Sequence, residues 1–194
     1  MEFRASAEGQ VFEAAVRRIA SDSPLERLRW VLVFSQVDLA TLDATTWAGC
    51  GYYLGLLPYL TAGELLSGGG FAVAPMPLET LRAIQGRIRT GLHALLVEGQ
   101  PWALGPIEGG VLYPRPPQQG GARFEKGWLI GADAVARILH AVGDHVRWHG
   151  HRLRACRECQ HPFIAVKRQQ YCQSQGACSQ RARDRKRNGK GSGK

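Results

Sequence analysis

Hydrophobic residues recur along much of the first 150 positions with the spacing of amphipathic helices. The clearest case lies between Leu78 and Val97, where apolar residues recur every three or four positions and arginines occupy the other face. The apolar positions are Leu81, Ile84, Ile88, Leu92, Leu95 and Leu96. This period predicts a helix with one buried face and one solvated face.

Three other segments also predict core elements. The run Ser23–Glu26 combines a capping serine, a proline suited to the first helical position and a glutamate that completes a capping box, so a helix should begin at Pro24. Helical spacing predicts a short helix around Val11–Ile19 and another over Ala132–Trp148. The apolar stretch Trp47–Leu60 is too short and too interrupted by glycine to cross a bilayer, so we expect a core element and no membrane span.

Short β segments are expected between the helices. Phe71–Ala74, between a glycine run and a proline pair, predicts a loop or a short strand. Trp102–Leu104 and Val111–Tyr113 flank Gly109-Gly110, which predicts a small hairpin. Residues 1–150 are therefore predicted to form a mostly helical domain, and the whole chain belongs to the α+β class.

Four of the five cysteines form two pairs near the C terminus, Cys156-x2-Cys159 and Cys172-x5-Cys178. A Cys-x2-Cys turn places two thiolates on one side of a metal ion, and a second pair can close a tetrahedral shell. We therefore expect one structural Zn²⁺ on these four residues, folding a segment too short to bury a core of its own. Cys50, which lies between two glycines far from the pairs, is expected to be a small buried residue.

The alternatives for the paired cysteines are two disulfides, an iron–sulfur cluster or free thiols. The first ten residues lack the apolar core of a signal peptide, so we expect a cytoplasmic protein with reduced thiols. The cysteine spacing differs from the common ferredoxin patterns. His161 could replace one ligand, but four cysteines already complete a shell.

The charge of the chain is concentrated around and after these cysteines. At 44% hydrophobic and 21% charged residues, the composition is that of a globular protein. Residues 151–194 contain twelve Lys or Arg and two acids, Glu158 and Asp184, a net charge of +10. The whole chain carries +9, which leaves −1 for residues 1–150. A polyanionic partner for the C-terminal segment is the natural inference, because clustered cations gain affinity by releasing counterions from phosphates.

The cysteine segment has the order of elements of a treble clef. After the first cysteine pair, Phe163–Val166 predicts a short strand, with Lys167–Gln170 at a turn. A basic helix should then carry Cys178 and stop at Asn188-Gly189. We expect a zinc finger over residues 151–188, formed by a knuckle, a β-hairpin and this helix, and a disordered tail over residues 189–194.

The same residues resemble the CGNR-type zinc finger found at the C terminus of bacterial stress-induced transcriptional regulators. The similar runs cover about 40 of the 194 residues: Leu153–Phe163, Arg168–Cys172 and Cys178–Arg183. Cys178-Ser-Gln-Arg181 stands where the family has Cys-Gly-Asn-Arg. The resemblance implies zinc on all four cysteines, a basic helix that faces DNA, and a role in transcription regulation. Residues 1–150 would then sense a signal or form a homodimer.

The basic residues of this segment are the candidate nucleic-acid contacts. Arg181 and Arg185 share one face of the predicted helix, and Arg183 and Arg187 share a neighbouring one, so either face could meet phosphates. RNA is the alternative partner, although no row of aromatic residues offers a stacking platform, and the resemblance favours DNA. The expected contacts are Lys167, Arg168, Arg181, Arg183, Arg185, Lys186 and Arg187.

Two other functions compete with a DNA-binding regulator. The first is a non-catalytic protein- or RNA-interaction module with a structural zinc. The second is an enzyme, since treble clefs also host nucleases that use histidines on the hairpin and helix. The helix after Cys178 has no histidine, and residues 1–150 contain none of the common phosphate-binding, nucleophile or metalloprotease motifs. We therefore expect no catalytic residues.

Overall fold

Six α-helices, five short strands and a few short 3-10 or π-helical turns lie in the part of the chain that the computed structural model describes, residues 7–61, 76–104, 111–114, 124–126, 134–172 and 177–188. The helices are α1 (Ala7–Ser21), α2 (Pro24–Phe34), α3 (Ala44–Thr61), α4 (Leu78–His93), α5 (Ala134–His149) and α6 (Ala177–Asn188). The strands are β1 (Trp102–Ala103), β2 (Val111–Pro114), β3 (Phe124–Lys126), β4 (Leu153–Ala155) and β5 (Pro162–Ile164). The strand predicted near Phe71–Ala74 and the tail 189–194 lie outside the described residues.

Helix α2 begins where the sequence predicts it. The Ser23 hydroxyl accepts a hydrogen bond from the amide of Glu26 at 3.3 Å, and the Glu26 carboxylate accepts one from the amide of Ser23 at 2.8 Å. Pro24 occupies the first helical position, where its missing N–H removes no hydrogen bond. The predicted capping box is therefore confirmed.

The apolar stretch around Trp47–Leu60 is helix α3, which lies in the centre of the helical body (α1–α5). Its most buried residues are Tyr52, Tyr53, Leu54, Leu56 and Leu57. Helix α3 packs against both α1 and α5. The prediction of a core element is confirmed, and none of the helices in the described parts of the chain combines the length and apolar character that a bilayer crossing needs.

Helix α4 buries its predicted apolar face and ends in a π-helical turn, Ala94–Glu98. At Gly91 the helix lies so close to Trp102 of β1 that a Cβ atom would stand 2.0 Å from the indole ring. Only glycine fits at this position without displacing the indole. The tryptophan, which is 4% exposed, can therefore close one end of the core.

The predicted hairpin after α4 is present. Strand β1 pairs antiparallel with β2, with Trp102 opposite Leu112, and β2 pairs antiparallel with β3, with Tyr113 opposite Glu125. The third strand was not predicted from the sequence. These strands form one small sheet, and β4 and β5 form a separate sheet of two strands.

Candidate metal centre

A hairpin encloses the first cysteine pair. Strand β4 precedes Cys156 and pairs with β5, which follows Cys159, and Arg154 lies opposite Phe163. The turn predicted at 167–170 is present, but the predicted hairpin after the knuckle is wrong, since β5 pairs with a strand that precedes the knuckle. The partner of Phe163 lies before the cysteines, because the tight knuckle itself reverses the chain.

Backbone hydrogen bonds close the turn between Cys156 and Cys159. The amide of Cys156 donates to the carbonyl oxygen of His161 at 2.9 Å, and the amide of Gln160 donates to the carbonyl oxygen of Cys156 at 2.8 Å. Gln160 adopts a φ of 59°, the left-handed conformation that often ends such a turn. Both cysteines therefore project from one short, closed loop.

The four paired cysteines converge on one point. Their sulfur atoms all lie within 4.8 Å of one another, and the Cys159–Cys172 and Cys172–Cys178 Sγ distances are both 3.6 Å. Four sulfurs in a tetrahedron around Zn²⁺, each about 2.3 Å from the ion, would be about 3.8 Å apart. None of the five cysteines of the chain is in a disulfide. The group is placed to hold one metal ion.

The protein environment favours the thiolate at Cys156 and the protonated thiol at Cys159 and Cys178. Burial raises the pKa of the Cys156 thiol, yet backbone N–H groups of Cys159, Cys172 and Glu158 donate to its sulfur and lower the pKa overall, to about 6. Burial and neighbouring sulfurs raise the pKa values of Cys159 and Cys178. A bound cation would offset this repulsion and release the remaining protons.

The other candidate ligands do not join this group. His161 is exposed and acts through its backbone, since its carbonyl oxygen accepts from Cys156 and its N–H donates to the Cys159 sulfur. Cys50 is half-buried against the core of the helical body. Among the described residues, the only group of His, Cys, Asp or Glu side chains placed to hold a metal is the four cysteines.

Glu158 lies in the tight turn Cys156–Cys159, the knuckle, and forms ion pairs with helix α6. Its carboxylate lies 3.6 Å from the Nε of Arg181 and also pairs with the guanidinium of Arg185. The side chain of Glu158 is only 8% exposed, whereas those of Arg181 and Arg185 are 57% and 70% exposed. Arg181 also donates to the Cys178 sulfur at 3.3 Å. One of the two predicted basic faces of α6 therefore turns toward the knuckle.

Sequence reasoning missed this role of Glu158. The sequence does single out Glu158 as a possible ion-pair partner, because it is one of two acids among residues 151–194 and lies between the two cysteines of the knuckle. A lone acid in a cationic segment can pair with almost any of its cations. Only the docking of α6 decides that the partners are Arg181 and Arg185.

The remaining predicted contacts point away from Glu158. Arg183, Lys186 and Arg187 are exposed and lie at i, i+3 and i+4 on α6, so they share one side of the helix. Lys167 and Arg168 are exposed at the turn after β5. Four of these side chains form no ion pair with the described residues: Lys167, Arg168, Lys186 and Arg187. Among the described residues, Arg183 donates only to the side-chain oxygen of Gln180.

The β4–β5 hairpin, which encloses Cys156 and Cys159, packs against the helical body. Leu153 of β4 is fully buried in the same core as the helices, and Ile164 of β5 packs against that core. The side-chain amide of Gln36 donates to the carbonyl oxygen of Pro162 at 3.0 Å. The metal centre is therefore held at a defined place on the helical body.

Comparison with models of known protein families, with curated proteins and with solved structures finds no match. What the fold and the site define is a mostly helical protein with small antiparallel sheets and a four-cysteine group that can hold one metal ion. The function of that group has to follow from its own residues and geometry.

Proposed function

We propose that the four cysteines bind one structural Zn²⁺, and that this ion fixes helix α6 for binding to DNA, with a role in transcription regulation. The observation that carries the proposal is the position of Cys178. This proposed ligand lies in the first turn of α6, so the ion would anchor the start of a helix that otherwise has little apolar surface.

The donor set supports zinc in a structural role. Four sulfur donors form a closed shell, which leaves no open position for water or substrate. Cys156, Cys172 and Cys178 are buried, so the centre is shielded from solvent on most sides. The N–H groups that donate to the sulfurs are the kind of outer contact that stabilises a metal thiolate.

The exposed cations support a phosphate-rich partner. Arg183, Lys186 and Arg187 present three positive charges from one side of helix α6, and the turn at Lys167 and Arg168 adds two more. A helix of this width fits the major groove of duplex DNA. Seven residues are predicted to contact nucleic acid. Arg181 and Arg185 differ from the other five because both pair with Glu158.

Fluorescence anisotropy with a labelled DNA duplex tests the proposal. The triple variant Arg183→Ala, Lys186→Ala, Arg187→Ala should bind more weakly. Its plot of log affinity against log salt concentration should be less steep than that of the wild-type protein, by about three. Its matched control removes three exposed arginines from the helical body: Arg17→Ala, Arg29→Ala, Arg137→Ala.

The control should keep the wild-type slope. Equal slopes for the wild-type protein and the α6 variant would contradict the proposal, as would an equal loss in both variants. Binding to single-stranded RNA that exceeds binding to the duplex would favour the RNA-interaction alternative.

A further inference from the structure

A cleft in the helical body lies between α4 and the segment that follows α2. It is partly open to solvent and has a volume of about 340 Å³, within the range of pockets that hold small molecules. Gln36 and Asp38 line one side, and Arg82, Gln85 and Arg89 of α4 line the other. The cleft belongs neither to the metal centre nor to the exposed cations of α6.

The walls of the cleft are fixed by hydrogen bonds. Gln85, which is 8% exposed, donates from its side-chain amide to the carbonyl oxygens of Phe34 and Val37, at 2.7 and 2.8 Å. Both hydrogens of the amide are therefore used within the protein. These bonds connect the segment after α2 to α4, so the cleft is present without a ligand.

Two arginines supply the charge of the cleft. Arg89 donates through Nε to the carbonyl oxygen of Ser35 at 2.9 Å, which orients the side chain, and no described residue accepts from the N–H groups at its tip. Arg82 lies two turns earlier on the same face of α4 and makes no hydrogen bond or ion pair with the described residues. The acid in the cleft, Asp38, forms no ion pair with either arginine and accepts a hydrogen bond from the amide of Ala40 at 3.0 Å.

We propose that this cleft binds a small organic anion through Arg82 and Arg89. The ligand carries a carboxylate or a phosphate group, because the planar guanidinium fork matches both. Val37, Leu39 and Ala40, which also line the cleft, would contact the ligand's short apolar part. The proposal does not depend on metal or nucleic-acid binding.

Amide NMR titrations of the full chain, with inorganic phosphate and separately with succinate, test the proposal and separate the two ligand chemistries. At least one probe should produce saturable shifts at residues 36–40 at millimolar concentration. Arg82→Gln should weaken that binding about tenfold or more, since a charge-assisted contact is lost. Arg82 forms no bond with the described residues, so this variant should keep the fold.

The basic helix α6 also attracts anions, so the control variant is Arg183→Gln with Arg187→Gln. The control should lose shifts in α6 and keep those at residues 36–40. Three outcomes would overturn the proposal: no saturable shift at residues 36–40 with either probe, unchanged binding in Arg82→Gln, or loss of the cleft shifts in the control.

Discussion

The carboxylate of Glu158 lies 3.6 Å from the guanidinium Nε of Arg181. The knuckle that carries two of the four cysteines is thereby joined to the helix that carries Cys178. The same arginine donates to the Cys178 sulfur, where its positive charge would offset part of the negative charge of four metal-bound thiolates. The ion pair and a bound metal would thus both fix the position of α6, through two neighbouring contacts.

Replacing Glu158 with Gln should loosen α6. The substitution keeps the shape of the side chain but removes the charge that attracts Arg181 and Arg185. Hydrogen exchange of the amides in residues 177–188 should accelerate about tenfold, which corresponds to about 1.4 kcal/mol. Asp184→Asn is the matched control, because it removes the only other acid of residues 151–194. Similar exchange rates in both variants would contradict the role given to Glu158.

The close approach of α4 to Trp102 gives a prediction about stability. Gly91→Ala would place a Cβ atom 2.0 Å from the indole, so the free energy of unfolding should fall by about 1–3 kcal/mol or more. Gly86→Ala is the control in the same helix, because its Cβ would meet nothing within 4 Å. That variant should gain about 0.5–1 kcal/mol. Chemical denaturation would measure both, and a stabilising Gly91→Ala would contradict the packing.

His145 should make the folded protein sensitive to acid. Burial, together with the positive charges of Arg27 and the neighbouring His149, lowers its pKa to about 4, although Asp144 acts in the opposite direction. The unfolded chain titrates near the ordinary value of 6.5. The folded state therefore holds a neutral imidazole, and the stability that this contributes is present above pH 6.5 and lost as the pH falls toward 4.

The size of this loss should be about 3 kcal/mol between the two pKa values. Urea unfolding at a series of pH values, comparing the wild-type protein with His145→Leu, would measure it. The two proteins share all four clustered cysteines, so acid effects at the metal centre cancel in the difference. Parallel pH dependences for the two proteins would contradict this prediction.

Local signals made most of the helices predictable. The period around Leu81 and Ile88 and the capping box at Ser23 are written in neighbouring residues, and they need no knowledge of distant contacts. The spacing of Cys156 and Cys159 has the same local character, because ligand geometry limits how far apart two cysteines on one knuckle can be. These features could therefore be placed from the sequence alone.

Features that depend on distant pairing could not be placed in this way. Strand β3 and the strand that pairs with Phe163 each contain only three residues. Segments that short show no clear alternation of apolar and polar residues, so their pairing cannot be predicted from the sequence. The orientation of α6 places Arg181 and Arg185 beside Glu158, and the charge of Glu158 alone does not indicate which arginines it contacts. The sequence could identify both basic faces of the helix, and only the fold distinguishes the face that binds the knuckle from the one that remains exposed.

Binding of one zinc ion by the four cysteines can be measured by native mass spectrometry, because it reports the metal bound to each chain. The wild-type protein and Cys50→Ser, which changes the one cysteine outside the cluster, should each carry one zinc ion. Cys172→Ser should carry none, or lose it to a weak chelator that leaves the wild-type protein loaded. A wild-type chain without metal, or full zinc retention by Cys172→Ser under the same chelation, would contradict the account.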